Sequence, residues 1–375
     1  MESIDQFVQR HKSIVILGYA DVGKSIRAML EKHKEKIVFA DNSSKKQGMH
    51  GTDYVFALQE AHEKFPEAGY IAASVWHSRQ MEEQLMASGV QAEHILEKLP
   101  DQILQKEKER AHRLHMPRKS LTVQIDITKH CNLKCKGCDH FAPVAEEEYL
   151  SPDEFGKDMR RLSEVFHCKA EWIVLMGGEP LLHPQIAEFL RPARENFPDA
   201  KIQIFTNGML LKKMKDDFWR ACAEYRIGIC PTRYPIPLDY DDLEKFVKDK
   251  GVAYEYVGSS ESGRMLWKEP LDLSGSQDME ESFYACRIAN DCLTLEHGRL
   301  YTCSIAPNIA AFNKAFGKNV PLTEKDGIDI YQAKSAEEIL AAMAKPIPFC
   351  KYCDVKRREY DLPWTTSKGS IEEWT

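Results

Sequence analysis

Leu121-Thr122-Val123-Gln124-Ile125-Asp126-Ile127 leads through Thr128-Lys129-His130 into Cys131-Asn132-Leu133-Lys134-Cys135-Lys136-Gly137-Cys138. The first segment is apolar and strand-like, and the last sets three cysteines at C-x3-C-x2-C on one tight loop. Three thiolates so placed can each hold one iron of a [4Fe-4S] cluster, which leaves the fourth iron without a protein ligand and open to chemistry.

Two further motifs follow strand-like runs. Trp172 to Leu175 precedes Met176-Gly177-Gly178-Glu179-Pro180, and Lys201 to Phe205 precedes Thr206-Asn207-Gly208. Paired glycines let a backbone approach a ligand, and a carboxylate after them can pair with an ammonium group. In parallel α/β sheets ligands bind at the carboxyl ends of the strands, where all three motifs fall. In this order, over roughly residues 118–260, they resemble the radical S-adenosylmethionine (SAM) superfamily. The resemblance implies that the open iron binds the amino and carboxylate groups of SAM, and that the reduced cluster cleaves it to a 5'-deoxyadenosyl radical that abstracts hydrogen from substrate. Gly177, Gly178, Glu179 and Pro180 would then hold the methionine end, with Thr206 and Asn207 as polar contacts in the same crevice. One position departs from the family pattern: Gly137 stands where an aromatic usually precedes the third cysteine, and Phe141 is the residue expected to fill that space.

Upstream, Ser13 to Leu17 is an apolar run followed by Gly18-Tyr19-Ala20-Asp21-Val22-Gly23-Lys24-Ser25 and a helical pattern through Leu30, and a second strand, Ile37 to Ala40, ends in Asp41-Asn42. As a string, Gly18 to Ser25 fits the phosphate-cradling G-x4-G-K-S loop. It also fits a Rossmann turn, with Gly18 and Gly23 as glycine positions and Asp41 placed for a ribose hydroxyl. The Rossmann geometry is the favoured reading. Tyr70 to Ser74 adds a third buried strand and Arg79 to Ser88 a helix. The stretch is similar to small Rossmann-like domains attached to sugar-modifying and polysaccharide-biosynthesis proteins, some of which bind nucleotides while others only dock. A charged connecting helix, Gln102 to His115, follows and is closed by Met116-Pro117.

The last third carries Cys286, Cys292, Cys303 and the pair Cys350-Lys351-Tyr352-Cys353, and Leu293 to Cys303 alternates about Gly298 as a hairpin does. Eleven residues separate Cys286 from Gly298 and four separate Gly298 from Cys303, a spacing that with the distant C-x2-C resembles the Twitch domain of radical SAM enzymes. That resemblance assigns a second, auxiliary [4Fe-4S] cluster to Cys286, Cys303, Cys350 and Cys353 and leaves Cys292 a core thiol. The competing reading of the four is structural zinc.

The expected architecture is α/β: a Rossmann-like domain over 1–100, a linker helix over 101–117, a partial parallel (β/α) barrel of five or six strands over 118–275, and a small α+β Twitch-like domain over 276–375. An auxiliary cluster with four protein ligands suits electron transfer, and the arrangement resembles that of 2-deoxy-scyllo-inosamine dehydrogenases. The leading expectation is therefore hydrogen abstraction from a sugar, amino-sugar or cyclitol, possessing or lacking a linked nucleotide, for alcohol oxidation or epimerisation. Arg233 and Tyr234 are candidates for handling the hydroxyl proton, and Cys230 for returning a hydrogen atom from the opposite face. A ribosomal-peptide substrate is the alternative; a nucleotide-binding protein with zinc is a remote one. The family resemblance also implies a flavodoxin- or ferredoxin-type electron donor. A net charge of −7 over 375 residues argues against nucleic acid or anionic membrane as the main partner. No apolar run approaches the about twenty residues of a membrane span, and Met1 to His11 lacks a signal pattern, so a cytoplasmic location is expected, with the eleven cysteines as ligands or buried thiols.

Overall fold

The computed structural model describes residues 3–51, 53–74, 78–105, 115–257 and 265–375. Most of the expected connecting helix therefore lies outside the described residues. The chain divides into two compact units, 1–114 with 355–357, and 115–354 with 358–375. Among the described residues, no helix is long and apolar enough to cross a membrane.

The first unit is built on β1 (Ile14–Leu17), β2 (Ile37–Ala40), β3 (Gly48–His50), β4 (Asp53–Phe56) and β5 (Gly69–Ala72). Their order is β3-β4-β2-β1-β5, parallel except for β3 at the edge. Every residue of β1 and β5 is buried, as strands covered on both faces require, and each face has its own apolar core. Gly18, at φ +111°, makes the turn out of β1, and the helix Asp21–Met29 starts only three residues later. A Cβ on Gly23 would sit 2.1 Å from the Gly18 carbonyl oxygen, so this glycine lets helix and turn close on each other. That is a Rossmann turn. The phosphate-loop string is not realised as a cradle, because the helix begins before Lys24, whose ammonium instead lies over the Tyr19 ring at 4.5 Å.

The second unit carries β6 (Thr122–Thr128), β7 (Trp172–Gly177), β8 (Lys201–Thr206), β9 (Gly228–Pro231), β10 (Met265–Lys268), β11 (Thr294–Glu296), β12 (Arg299–Tyr301), β13 (Gly327–Asp329) and β14 (Glu359–Pro363). Seven of these form one sheet in the order β13-β12-β11-β6-β7-β8-β9, while β10 and β14 make a separate antiparallel ribbon. From β11 through β9 the strands are parallel. Residues 252–257 take the next place beside β9, where Ile229 N–H donates to the Ala253 carbonyl at 2.8 Å and Glu255 N–H to the Ile229 carbonyl at 3.0 Å.

Alternation along the strands decides what each face does. Val123, Ile125, Ile127, Ile173, Leu175, Ile202, Ile204 and Ile229 join one core with the helices Pro152–Val165, Ile186–Asn196, Asp216–Glu224 and Tyr240–Asp249. The alternate positions, Gln124, Asp126, Trp172, Gln203 and Cys230, point to the opposite face, away from those helices. The hairpin β11–β12 turns through His297 and Gly298 at φ +46° and +70°, the primed-turn conformation expected around that glycine. It pairs directly onto β6, so residues 118–275 and 276–375 share a sheet. A second apolar core, containing Phe283, Phe312, Phe349 and Trp374, surrounds Cys286, Cys303, Cys350 and Cys353.

Candidate functional site

The three motifs at the ends of β6, β7 and β8 form one hydrogen-bonded unit. A Cβ on Gly177 would lie 2.2 Å from the Thr128 carbonyl oxygen, and one on Gly178 would lie 2.0 Å from that of His130. The glycines thus let the exit of β7 press against the backbone just before Cys131. The ladder continues there, with Gly178 N–H donating to Thr128 at 2.9 Å and Glu179 N–H to His130 at 3.0 Å.

Glu179 is fully buried. Its carboxylate accepts from the Thr206 hydroxyl at 2.6 Å, the Leu181 amide at 3.1 Å and the Asn207 amide at 2.8 Å. Burial pushes its pKa up to about 7 against the pull of these donors. The expected ammonium partner is therefore committed within the chain and acts as the clamp between β7 and β8. Pro180 opens the short 3-10 turn that follows. The Asn207 side chain reaches back to the cysteine loop, donating to Asn132 Oδ1 at 2.7 Å and approaching Cys131 Sγ at 3.8 Å.

The cysteine loop fits a thiolate-bound cluster by its donors. Leu133 N–H points at Cys131 Sγ at 3.4 Å and the Trp364 indole N–H at Cys135 Sγ at 3.2 Å, and the Tyr234 hydroxyl beside Cys135 helps to pull that thiol's pKa down against burial. Such donors stabilise sulfur carrying negative charge. Without metal, burial pushes the Cys131 thiol up to about 11 and Cys135 to about 12, and metal binding supplies the free energy to deprotonate them. Phe141 does not line this space: it is 1% exposed and packs on Phe312 and Trp374 in the second core. Gly137, at φ +65°, lies under the Glu373 carbonyl, 3.3 Å from where its Cβ would stand.

The second cysteine set converges as well. Cys286 ends the helix Met279–Ala285 and faces the amides of Ile288 and Ala289 at 3.4 and 3.3 Å. Cys303 precedes the helix Ile305–Phe316, whose first amides pull its thiol pKa down against burial. Cys350 lies in a 3-10 turn and Cys353 ends it. Burial raises all four, Cys350 to about 12, with neighbouring thiols of the set adding to it at Cys303, Cys350 and Cys353 and Glu269 adding to it at Cys286. Cys292 packs at the margin of the same core.

Asp139 joins the two cysteine sets, a link with no signal beyond its place next to Cys138. Its carboxylate accepts from Ser304 Oγ at 2.8 Å, and Ser304 follows Cys303. Beside it Asp126 and His140 face one another at 3.3 Å, and Asn308 donates to Asp126 at 2.7 Å. Lys129 lies between Glu296 at 2.5 Å and Asn308 at 2.9 Å. Burial favours neutral Asp126, yet His140 and Lys129 pull its pKa well below the usual carboxylate range.

Among the described residues, Tyr234 alone of the other expected ones reaches the cysteine loop. Arg233 stacks over the Tyr256 ring at 3.7 Å and reaches Asp241 at 3.3 Å, on the helix side of the loop. Tyr234, its neighbour, meets Cys135 and Trp364 instead. Cys230 is buried in β9, and burial pushes its thiol up to about 12. In the first unit Asp41 accepts from the Tyr19 amide at 2.8 Å, the Ser43 amide at 2.9 Å and Lys46 at 3.3 Å. Its carboxylate thus secures the turn at Gly18.

Residues 125–256 match the radical SAM superfamily. The chain is similar to a GTP 3',8-cyclase of Chlorobaculum tepidum, 35% identical over 124 residues, 33% of this chain and 34% of that protein. A GTP 3',8-cyclase of Helicobacter pylori is 30% identical over 102 residues, 26% of this chain and 31% of that protein. The chain thus spans about a third of the length of these curated relatives. Among solved structures, BtrN in complex with AdoMet and 2-DOIA aligns with TM-score 0.40 and 17% identity, over 62% of this chain and 85% of that one. Streptococcus suis SuiB bound to S-adenosylmethionine aligns with TM-score 0.31 and 19% identity, over 49% of this chain and 45% of that one.

Proposed function

Residues 125–256 are a radical SAM domain, and we propose that the enzyme built on it removes hydrogen from a carbon of a sugar, amino-sugar or cyclitol, giving net oxidation of an alcohol or epimerisation. With its cofactors bound, such a site supplies SAM-derived radical chemistry at the Cys131, Cys135 and Cys138 loop and an electron acceptor at Cys286, Cys303, Cys350 and Cys353. The observation that carries the reading is the bridge Cys138-Asp139 to Ser304-Cys303, closed by the 2.8 Å bond between Asp139 and Ser304. It joins the two cysteine sets through a few covalent bonds and one hydrogen bond, a short path for passing an electron between the groups that the two sets would hold.

The radical SAM match over residues 125–256 supports iron–sulfur over zinc in the second set, because the first set already calls for an iron–sulfur cluster. Gly177 and Gly178 would hold the methionine end of SAM through backbone, while Glu179 fixes Thr206 and Asn207. Tyr234 holds its proton at the hydroxyl beside Cys135, and Cys230 keeps its thiol proton, as a hydrogen-atom donor must. A flavodoxin- or ferredoxin-type protein is the proposed reductant.

The test is iron, sulfide and zinc content of anaerobically reconstituted protein, followed by deoxyadenosine formation with sugar and cyclitol substrates. About eight irons per chain means two [4Fe-4S] clusters. Four irons with one zinc would remove the auxiliary acceptor and overturn the oxidation reading. A Cys230→Ala variant that still gives all of the product would end the epimerisation reading.

A further inference from the structure

We infer that the C-terminal tail is a working part of the primary cysteine loop, and that Trp364 is a positioning residue that sets the reduction potential of the cluster held there. The inference rests on the proposed cluster at Cys131, Cys135 and Cys138.

Residues 364–367 lie against the loop through one isolated antiparallel bridge. Cys135 and Thr366 form a bridge pair, Lys136 N–H donates to the Thr365 carbonyl at 3.0 Å, and Ser367 N–H donates to the Lys134 carbonyl at 2.8 Å. This pairing aims the Trp364 indole N–H at Cys135 Sγ, 3.2 Å away. The indole nitrogen is a donor only, so the bond has one direction.

The far end of the tail is pinned too. Trp374 is 2% exposed, packs on Phe141 and Phe316, and donates from its indole to the Cys138 carbonyl at 2.9 Å. Buried Glu373 closes a capping box with Ser370 and accepts from the Lys368 amide at 2.7 Å. The tail therefore touches the loop at Cys135 and again at Cys138, and its backbone covers Gly137, where a larger residue would meet Glu373. A glycine before the third cysteine is what lets the tail lie there.

A donor to a ligating sulfur stabilises negative charge on the cluster, and more so in the reduced state, which carries one more electron. It therefore raises the potential, against the opposite effect of water exclusion by the covering tail, which disfavours the more highly charged reduced form. Leu133 gives Cys131 a similar bond, but from within the loop itself. Trp364 is a side chain supplied from outside the loop and is open to substitution without altering the ligand spacing.

The test is potentiometric EPR of the anaerobically reconstituted full chain, following the iron signal that changes when SAM is added. Trp364→Phe keeps the ring and removes the donor. The expected result is full iron content, a retained SAM response and a shift of that signal to more negative potential. Trp364→His, which keeps a ring N–H, is expected to lie between. An unchanged potential in an iron-replete Trp364→Phe protein overturns the inference. If Trp364→Phe loses iron, recovery of iron in Trp364→His supports a donor role, and equal loss in both overturns it. Absence of any SAM-responsive iron signal in the wild type would instead overturn the underlying cluster assignment, and the two failures are told apart by the wild-type spectrum alone.

Discussion

The Thr206 hydroxyl donates to Glu179 at 2.6 Å, and through this contact the second and third motifs hold each other at the ends of β7 and β8. Thr206 also accepts from the Gly208 amide at 3.0 Å, so one hydroxyl serves both the clamp and the turn beyond it. Thr206→Val preserves shape and removes both bonds. A hydrogen bond to a buried charged group contributes about 1.5–3 kcal/mol, and the variant is expected to lose about that much in denaturant unfolding. There is also a pH signature. The folded pKa of Glu179, about 7, is above its unfolded value, so its contribution to stability is present below about pH 4 and is lost as pH rises through 7. Because the Thr206 donor lowers that pKa, its removal extends the decline to higher pH, which unfolding of the metal-free variant from pH 5 to 8 measures.

Gly178→Ala tests why the paired glycines stand where they do. The new methyl would lie 2.0 Å from the His130 carbonyl oxygen, a backbone atom one residue before Cys131. Relief requires the cysteine loop to move. Iron and sulfide bound at the primary site are expected to fall sharply in Gly178→Ala, while the far-ultraviolet circular dichroism stays near wild type. Full iron content would show that the loop tolerates the displacement.

Much of this site could be read along the chain, because its signals are local. Apolar alternation marks β6 through β9, and β6 occupies Thr122–Thr128 where Leu121 to Ile127 suggested a strand. Glycine pairs and cysteine spacing mark the turns. What stayed hidden depends on long-range pairing. Trp364 meets Cys135 across more than two hundred residues, Glu179 finds its donors on another strand, and Ser304 is brought to Asp139 by the pairing of β11 with β6. Phe141 had the right proximity to Cys138 but a left-handed backbone, φ +52°, that turns it into the second core. The Gly18 string was ambiguous because two loop geometries share its glycines, and the helix start at Asp21 decides between them.

The second cysteine set makes a separable prediction. Cys303 and Cys350 are buried and Cys286 and Cys353 half-buried, the four close to one another, whereas Cys292 sits beside them with its thiol pushed up to about 12 by burial. Changing any one of the four to alanine is expected to reduce iron from about eight toward about four per chain, with SAM binding retained at the first loop. Cys292→Ala is expected to keep about eight. Loss of iron from Cys292→Ala, with Cys286→Ala unaffected, would exchange their roles.

Asp272 gives a test that is independent of metal. It accepts from the Ser274 amide at 2.9 Å and hydroxyl at 2.6 Å through one oxygen, and through the other from the Ser276 amide at 3.0 Å, its hydroxyl at 2.7 Å and Gln277 at 3.0 Å. Burial pushes the carboxyl up, but these five donors outweigh it and hold the pKa well below the usual range. A depressed folded pKa means that the contribution is complete above the unfolded value, about pH 4, and is lost as pH falls through the folded value. The loop leads into the helix that ends at Cys286, and Asp272 N–H donates to the Tyr352 carbonyl at 2.9 Å, next to Cys353. Asp272→Asn replaces one acceptor oxygen with a donor that faces three others. It is expected to lower stability at pH 7 and to flatten the acid limb of the stability profile below pH 4. An acid limb as steep as that of the wild type would assign the acid sensitivity to other carboxylates.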